Sequence, residues 1–259
     1  MKKIAFVGCS HLAAFQQECQ LDNNWTYQLY KKYPHHQYRN YSQGGKGPDY
    51  FKRALVEAKI WGADIVFMNR THMGRWSILA DIYQEGYQSN APIIEHQEEN
   101  WTEIDLGLCM YGHSNYKDVP NKSHPRSREN RMHPWLRGKM EPVYEFLIDY
   151  HASSELRRND DLKWYKTAPY LYNFENFFLI DWENVYGNDG EQIITSNICD
   201  IPVFPWFKKI YNTHNLDDLI DYGIFVSREN HHLSRQGNTE FLNGYILTIP
   251  EILNALESE

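Results

Sequence analysis

The sequence predicts an α/β fold: a three-layer α/β/α sandwich around a mostly parallel sheet of about five strands. Short apolar segments typical of buried strands alternate with longer segments in which apolar residues recur at helical spacing. Such alternation is typical of parallel sheets whose faces are covered by helices. With 259 residues the chain can bury one substantial core, so we expect a single domain over residues 1–259.

The first part of the chain predicts three strand–helix units. Residues 3–7 are mostly apolar and predict the first strand, and helical spacing follows over residues 12–19. Residues 37–41 predict the second strand, ahead of a helix over residues 50–61. Residues 63–68 are apolar apart from one aspartate, which is typical of a central strand that is buried on both faces.

A large insertion over residues 77–173 is predicted after the third strand, within the same domain. Periodicity is lost from residue 97 to about residue 137, a longer stretch than most connections in a compact domain. Helical patterning returns over residues 141–167. The insertion is locally basic and carries interspersed aromatic residues, which could bind an anionic glycan or a nucleic-acid strand. Because long connecting segments of this kind are more often lids or contact surfaces, we expect a lid or contact surface.

Two further strands and a helical region complete the chain. Residues 176–182 predict the fourth strand and residues 201–207 the fifth. Two prolines in the fifth favour a position at the edge of the sheet. Helical spacing returns over residues 239–256, where we expect Pro250 to kink or divide the helix.

Composition excludes several classes of protein. The net charge of −8 argues against a general nucleic-acid binder, because duplex affinity depends on cations that neutralise phosphates. Four scattered cysteines without a paired spacing predict free thiols rather than disulfides or a zinc site. The N-terminal segment is too short and too polar for a signal peptide, and no apolar stretch approaches a membrane span. We expect a soluble, cytoplasmic protein with no membrane or nucleic-acid partner, of viral or bacterial origin.

Polar residues follow the predicted strands at their carboxyl ends, where open parallel sheets bind ligands. Ser10 follows the first strand, Gly44 and Gly45 follow the second, and Asn69 follows the third. A fourth polar segment, residues 229–238, lies near the end of the sequence. Together these segments predict one site. Histidines scattered through residues 113–133 fit no compact metal-ligand spacing, so we predict no metal there.

The four segments resemble, in the same order, the four blocks of the SGNH (GDSL-like) hydrolases, a family named for a Ser, a Gly, an Asn and a His. Gly8-Cys9-Ser10 stands where the family has Gly-Asp-Ser, and Asn69 stands in the third block. Residues 229–234 match Asp-x-x-His-Leu-Ser with a glutamate in place of the aspartate. The resemblance covers residues 1–75 and 175–250 and implies a flavodoxin-like sheet.

The resemblance also implies roles for the site residues. Ser10 would be the nucleophile, His232 the base and Glu229 the carboxylate that orients the base, while His231 stays an alternative base. The oxyanion hole would combine donors from three strand ends: the N–H groups of Ser10 and of Gly44 or Gly45, and the side-chain amide of Asn69. A serine hydroxyl is a weak nucleophile until a neighbouring imidazole accepts its proton, so these residue types fit acyl transfer.

The function that the resemblance implies is a serine esterase that cleaves a carboxylic ester through an acyl-enzyme. A short acyl or O-acetyl group on a small molecule or a carbohydrate is the preferred substrate, and neither a metal nor an organic cofactor is required. Cys9 and Arg70 stand where the family has aspartates. They favour the alternative of a non-catalytic SGNH scaffold that acts as a glycan-binding or assembly protein. A fatty-acyl lipase or thioesterase is a third hypothesis, and the sequence leaves the oligomeric state open.

Overall fold

The structure is a computed structural model that describes residues 1–13, 23–42, 47–70, 76–78, 94–95, 100–103, 109–111, 155–182, 198–227 and 232–258. The strands in these ranges are β1 (Lys3–Val7), β2 (Gln37–Asn40), β3 (Ile65–Arg70), β4 (Trp76–Ile78), β5 (Ile94–Glu95), β6 (Trp101–Glu103), β7 (Cys109–Tyr111), β8 (Asn176–Asp181) and β9 (Ile198–Pro202). The helices are α1 (Trp25–Lys32), α2 (Pro48–Trp61), α3 (Glu155–Tyr172), α4 (Val203–Tyr211), α5 (Leu216–Asp221), α6 (Arg235–Gly244), a 3₁₀ turn (Ile246–Thr248) and α7 (Pro250–Glu257).

One sheet forms the centre of the fold, with the strand order β5-β6-β2-β1-β3-β8-β9. Every neighbouring pair is parallel except β5 and β6, which confirms the α/β class. A separate antiparallel pair joins β4 to β7. Because β1, β3 and β8 run side by side in the same direction, their carboxyl ends lie together at one edge of the sheet.

Successive side chains of each strand point to opposite faces of the sheet, so a strand that is apolar throughout needs cover on both faces. Helices provide that cover on each face. Ile4, Phe6 and Phe67 belong to the core cluster that includes α1, α6 and α7. Val7 and Met68 belong to the cluster on the other face, with α2 and α3. All six residues of β3 are buried, as predicted for the central strand.

Part of the predicted insertion over residues 77–173 belongs to this main body. Strand β6 pairs in parallel with β2, and β5 extends the sheet further, so the sheet has seven strands within the described residues, where about five were expected. Tyr165 and Ala168 of α3 are buried in the core beside α2. Helix α3, which lies in the range predicted as an insertion or lid, therefore covers one face of the sheet.

The predicted fifth strand over residues 201–207 is only partly correct. The strand ends at Pro202, and α4 begins at Val203. Pro205 lies in the first turn of α4, where the missing N–H breaks no helical hydrogen bond. Val203, Trp206 and Phe207 are buried at helical spacing, a pattern too short to distinguish from a strand by sequence. The edge position is confirmed, because β9 is the last strand of the sheet.

The other predicted elements are present where the structure describes them, with bounds that differ by a few residues: the third strand, predicted over residues 63–68, is Ile65–Arg70, and the helix predicted to end at residue 167 ends at Tyr172. Strand β1 has the predicted bounds, and Pro250 begins α7, so it divides the closing helical region as expected. Most of the helix predicted over residues 12–19 lies outside the described residues. Among the helices that the structure describes, none is both long enough and apolar enough to cross a membrane.

Candidate functional site

Three of the predicted site residues lie in the described part of the chain. Ser10 follows β1, Asn69 is the second-last residue of β3, and His232 precedes α6. Asn69 thus lies inside the strand, one residue before its end, whereas the sequence predicted that it follows the strand. Four other predicted residues lie outside the described ranges: Gly44, Gly45, Glu229 and the alternative base His231.

Ser10 lies in a tight turn at the carboxyl end of β1. The Cys9 carbonyl accepts hydrogen bonds from the N–H groups of Leu12 at 3.0 Å and Ala13 at 3.2 Å. These bonds close one helical turn around Ser10 and His11, both of which are half-buried. The turn therefore fixes the backbone on both sides of the predicted nucleophile.

Asn69 holds this turn against β3. Its Oδ1 accepts a hydrogen bond from the N–H of Cys9 at 2.8 Å, and the side chain is fully buried. Because a backbone N–H can only donate, Oδ1 must face Cys9 N, and this fixes the orientation of the amide. The Nδ2 atom then donates to Cys9 Sγ at 3.1 Å and to the Arg70 carbonyl at 3.3 Å.

Gly8 permits this close approach between β1 and β3. A Cβ atom at position 8 would lie 1.6 Å from Asn69 Oδ1 and 2.5 Å from Leu12 Cδ1. Real Cβ atoms do not come so close to other atoms. The glycine of the Gly8-Cys9-Ser10 segment is therefore required for the contact between Asn69 and the turn.

A buried ion pair lies beside Asn69. Arg70 and Asp181 are register partners at the ends of β3 and β8, and Arg70 Nη1 lies 3.5 Å from Asp181 Oδ2. Their side chains are only 1% and 7% exposed. Sequence reasoning singled out Arg70 and missed Asp181. The available signal was a lone carboxylate at the end of an otherwise apolar strand.

His232 is held by its backbone at the same edge. Its carbonyl accepts a hydrogen bond from the N–H of Val226 at 3.0 Å, and the next residue, Leu233, forms a β-bridge with Phe225. Ser234 then caps α6, with its Oγ accepting from the Gly237 N–H at 3.0 Å. The position of His232 therefore depends on the contacts of His232 and Leu233 with Val226 and Phe225 and on the start of α6.

Three aromatic rings, here called the histidine stack, bring the two ends of the chain together. The His11 ring lies nearly parallel to the Trp182 indole, with centroids 4.5 Å apart and an angle of 13°. The His11 ring also contacts the His232 ring, with centroids 5.1 Å apart and an angle of 42° between the ring planes. Neither His11 nor Trp182 was predicted as a site residue. The imidazole of His232 thus reaches the residue that follows Ser10.

This arrangement combines a hydroxyl, an imidazole and a buried amide at the carboxyl edge of a parallel sheet. Such groups can carry out acyl transfer if the imidazole reaches the hydroxyl. In the described ranges, no group of three or more His, Cys, Asp or Glu side chains is placed to hold a metal ion.

Comparison with protein-family models, curated proteins and solved structures finds no match for this chain. The SGNH resemblance therefore remains a prediction from the four sequence segments. Any proposed function therefore rests on the sequence segments and on the geometry of Ser10, Asn69 and His232 at the carboxyl ends of the strands.

Proposed function

We propose that this protein is a serine esterase of the SGNH type, with Ser10 as the nucleophile and His232 as the base. The contact between the His232 and His11 rings carries the proposal, because His11 directly follows Ser10. A base must come within hydrogen-bond reach of the proton that it accepts. Two segments from opposite ends of the chain meet at the strand edge where ligands of such sheets bind.

In the proposed reaction, Ser10 Oγ attacks the carbonyl carbon of the ester while His232 accepts the hydroxyl proton. The tetrahedral intermediate collapses, the alcohol leaves with the proton from His232, and the acyl group remains on Ser10. Water then attacks the acyl-enzyme, again with His232 as the base, and the carboxylic acid leaves. Glu229 is the proposed partner of the imidazolium, which it would stabilise and orient.

Negative charge on the carbonyl oxygen requires donors at the same edge of the sheet. We assign this role to the N–H of Ser10, to the N–H of Gly44 or Gly45, and to the Asn69 amide. In this role Asn69 Nδ2 would have to give up its hydrogen bond to Cys9 Sγ. That bond is weak, since a thiol sulfur is a poor acceptor. An oxyanion would replace it with a stronger, charge-assisted bond.

The fold supports the same proposal. When the outer strands β5 and β6 are left aside, the strands β2-β1-β3-β8-β9 follow the order 2-1-3-4-5, which is the flavodoxin-like order with its ligand site at the carboxyl edge. As in the sequence-based hypothesis, we propose a short acyl or O-acetyl ester of a small molecule or carbohydrate as the substrate. The reaction as written needs no metal and no organic cofactor.

One observation favours a second candidate, a non-catalytic SGNH scaffold that binds glycans or takes part in assembly. Both hydrogen bonds from Asn69 Nδ2 go to protein acceptors, Cys9 Sγ and the Arg70 carbonyl. An amide held in this way braces the turn without contacting a substrate. Under this candidate the edge of the sheet would still bind a ligand, but Ser10 would carry no acyl group.

Hydrolysis of p-nitrophenyl acetate and butyrate separates the two candidates. Ser10→Ala and His232→Ala are compared with Ser258→Ala and His214→Ala, which change an exposed serine and an exposed histidine elsewhere on the fold. We expect rate losses of roughly 1,000-fold or more in the first pair and none in the second. Folding of each variant is checked by circular dichroism. Hydrolysis that persists in folded Ser10→Ala would overturn the esterase proposal.

A further inference from the structure

We infer that His11 is a positioning residue for His232: the His11 ring contacts the His232 ring and is itself stacked on the buried indole of Trp182. The inference rests on the proposed function, because positioning matters only if His232 is the base. His11 lies in the first of the four polar segments, directly after Ser10, but the sequence assigned it no role. Its proposed function follows from the two ring contacts.

The indole of Trp182, on which the His11 ring stacks, is held in place by the core. It is nearly fully buried, and its ring lies 5.1 Å from the Phe241 ring of α6. Phe241 in turn packs edge-on against Trp25 at 5.5 Å, inside the core. Aromatic rings in such a cluster have few alternative rotamers, because the surrounding core is closely packed. The indole therefore cannot easily move away when a ring stacks on it.

The backbones on both sides of the His11–His232 contact are also fixed. The turn of Cys9 to Ala13 holds His11, and the bond from Val226 N–H holds His232. A change of rotamer at His232 would break its tilted ring contact with His11, whose centroid lies 5.1 Å away. A ring pair of this kind favours the rotamer in which the two rings touch over rotamers that lack the contact.

The consequence concerns the rate of the chemical step. A base that samples several rotamers spends only part of its time within reach of the Ser10 hydroxyl, and small displacements of a catalytic group can cost up to about 100-fold. His11 does not need to exchange a proton for this role. An uncharged aromatic ring of similar size should therefore replace it, whereas a methyl group should not.

The kinetic test compares His11→Ala with His11→Phe, and uses His214→Ala as the control for loss of a histidine from an exposed position. We expect His11→Ala to lower kcat by roughly 10- to 100-fold with little change in KM, and His11→Phe to restore kcat to within about threefold. An unchanged kcat in folded His11→Ala would overturn the inference. Equal losses in both variants would also overturn it, since the ring would then not be the feature that matters.

A second measurement needs no reaction. The imidazole resonances of His232 are followed by NMR in protein labelled at the histidine Cε1 carbon, and are assigned from the peak that disappears in His232→Gln. Removing the neighbouring ring in His11→Ala should shift these resonances, and His11→Phe should leave a ring-current shift in place. Unchanged His232 resonances in His11→Ala would overturn the contact itself. If Ser10→Ala keeps full activity while these shifts appear, the esterase proposal fails and the ring contact stands.

Discussion

The amino and carboxyl ends of the parallel strands, here called the amino edge and the carboxyl edge of the sheet, use polar side chains in different ways. At the amino edge, side chains bond to backbone groups: Asp64 Oδ2 accepts from the Lys3 N–H at 2.8 Å, and Lys3 Nζ donates to the Trp61 carbonyl at 2.9 Å. Ion pairs occur at both edges, but the Arg70–Asp181 pair at the carboxyl edge is buried, whereas the Glu175 side chain of the Lys2–Glu175 pair at the amino edge is 54% exposed. The histidine stack also lies at the carboxyl edge.

We interpret the polar side chains at the amino edge as groups that stabilise the fold and those at the carboxyl edge as groups that belong to the proposed site. Side chains at the amino edge satisfy backbone donors and acceptors that would otherwise lose hydrogen bonds. A buried ion pair is poor evidence for stability, because its desolvation cost can exceed the attraction between the charges. Its position beside Asn69 and the Ser10 turn is one at which it would support the proposed site by fixing neighbouring side chains. We therefore expect substitutions at the two edges to have different consequences.

The largest expected effect compares an ion pair from each edge. Asp181→Asn removes the carboxylate charge beside buried Arg70 and should lower the free energy of unfolding by about 3–5 kcal/mol. Glu175→Gln disrupts the pair with Lys2 at the amino edge, where the Glu175 side chain is 54% exposed, and should cost about 1 kcal/mol or less. Urea unfolding of both variants measures the difference. Equal costs would contradict the distinction between the edges.

The next effect concerns the close approach of β1 and β3. Gly8→Ala places a methyl group against Asn69 Oδ1 and should lower the free energy of unfolding by roughly 1–3 kcal/mol. Gly244→Ala is the matched control, because a Cβ at position 244 has no neighbouring atom within 4 Å. It should be neutral or slightly stabilising. Equal stability of the two variants in urea would show that Asn69 does not contact the turn as described.

The smallest effect is a pH dependence at the amino edge. His36 Nδ1 accepts from the Lys2 N–H at 3.1 Å, which leaves the proton on Nε2, 2.9 Å from the Leu256 carbonyl. Burial lowers the pKa of His36 below its ordinary value of 6.5. The unfolded chain therefore binds this proton more readily, and stability falls as the pH drops through 6.5 towards the lower pKa of the folded state.

Replacing the titrating group tests this expectation. The free energy of unfolding, measured from pH 8 down to about pH 5, should fall more steeply for the parent than for His36→Gln. His214→Gln, which changes an exposed histidine, should keep the slope of the parent. Equal slopes for the parent and His36→Gln would contradict a buried, neutral His36.

The sequence predicts the fold and the site to different extents. Periodicity is sufficient for β1 and for the central position of β3, because a buried strand is apolar on both faces. It fails at α4, where Val203 and Trp206 suit a strand and a helix equally well. The sequence also cannot show that α3 packs into the core, since that depends on contacts with distant strands.

The same limit applies to the site. Ser10, Asn69 and His232 were predicted because the order of four sequence segments pointed to them. His11 and Asp181 were missed, because each acts through a partner on another strand or segment. The pairing of Arg70 with Asp181 depends on the register of β3 and β8, and no local pattern in the sequence specifies that register.

Covalent labelling of Ser10 tests the central claim most directly. The folded protein is incubated with a fluorophosphonate, which reacts with serines activated by a neighbouring base, and the labelled peptide is mapped by mass spectrometry. We predict one phosphonyl group on Ser10, little or none in His232→Ala, and full labelling in His214→Ala. A folded protein that takes up no label, or that carries it on a residue other than Ser10, would contradict the account.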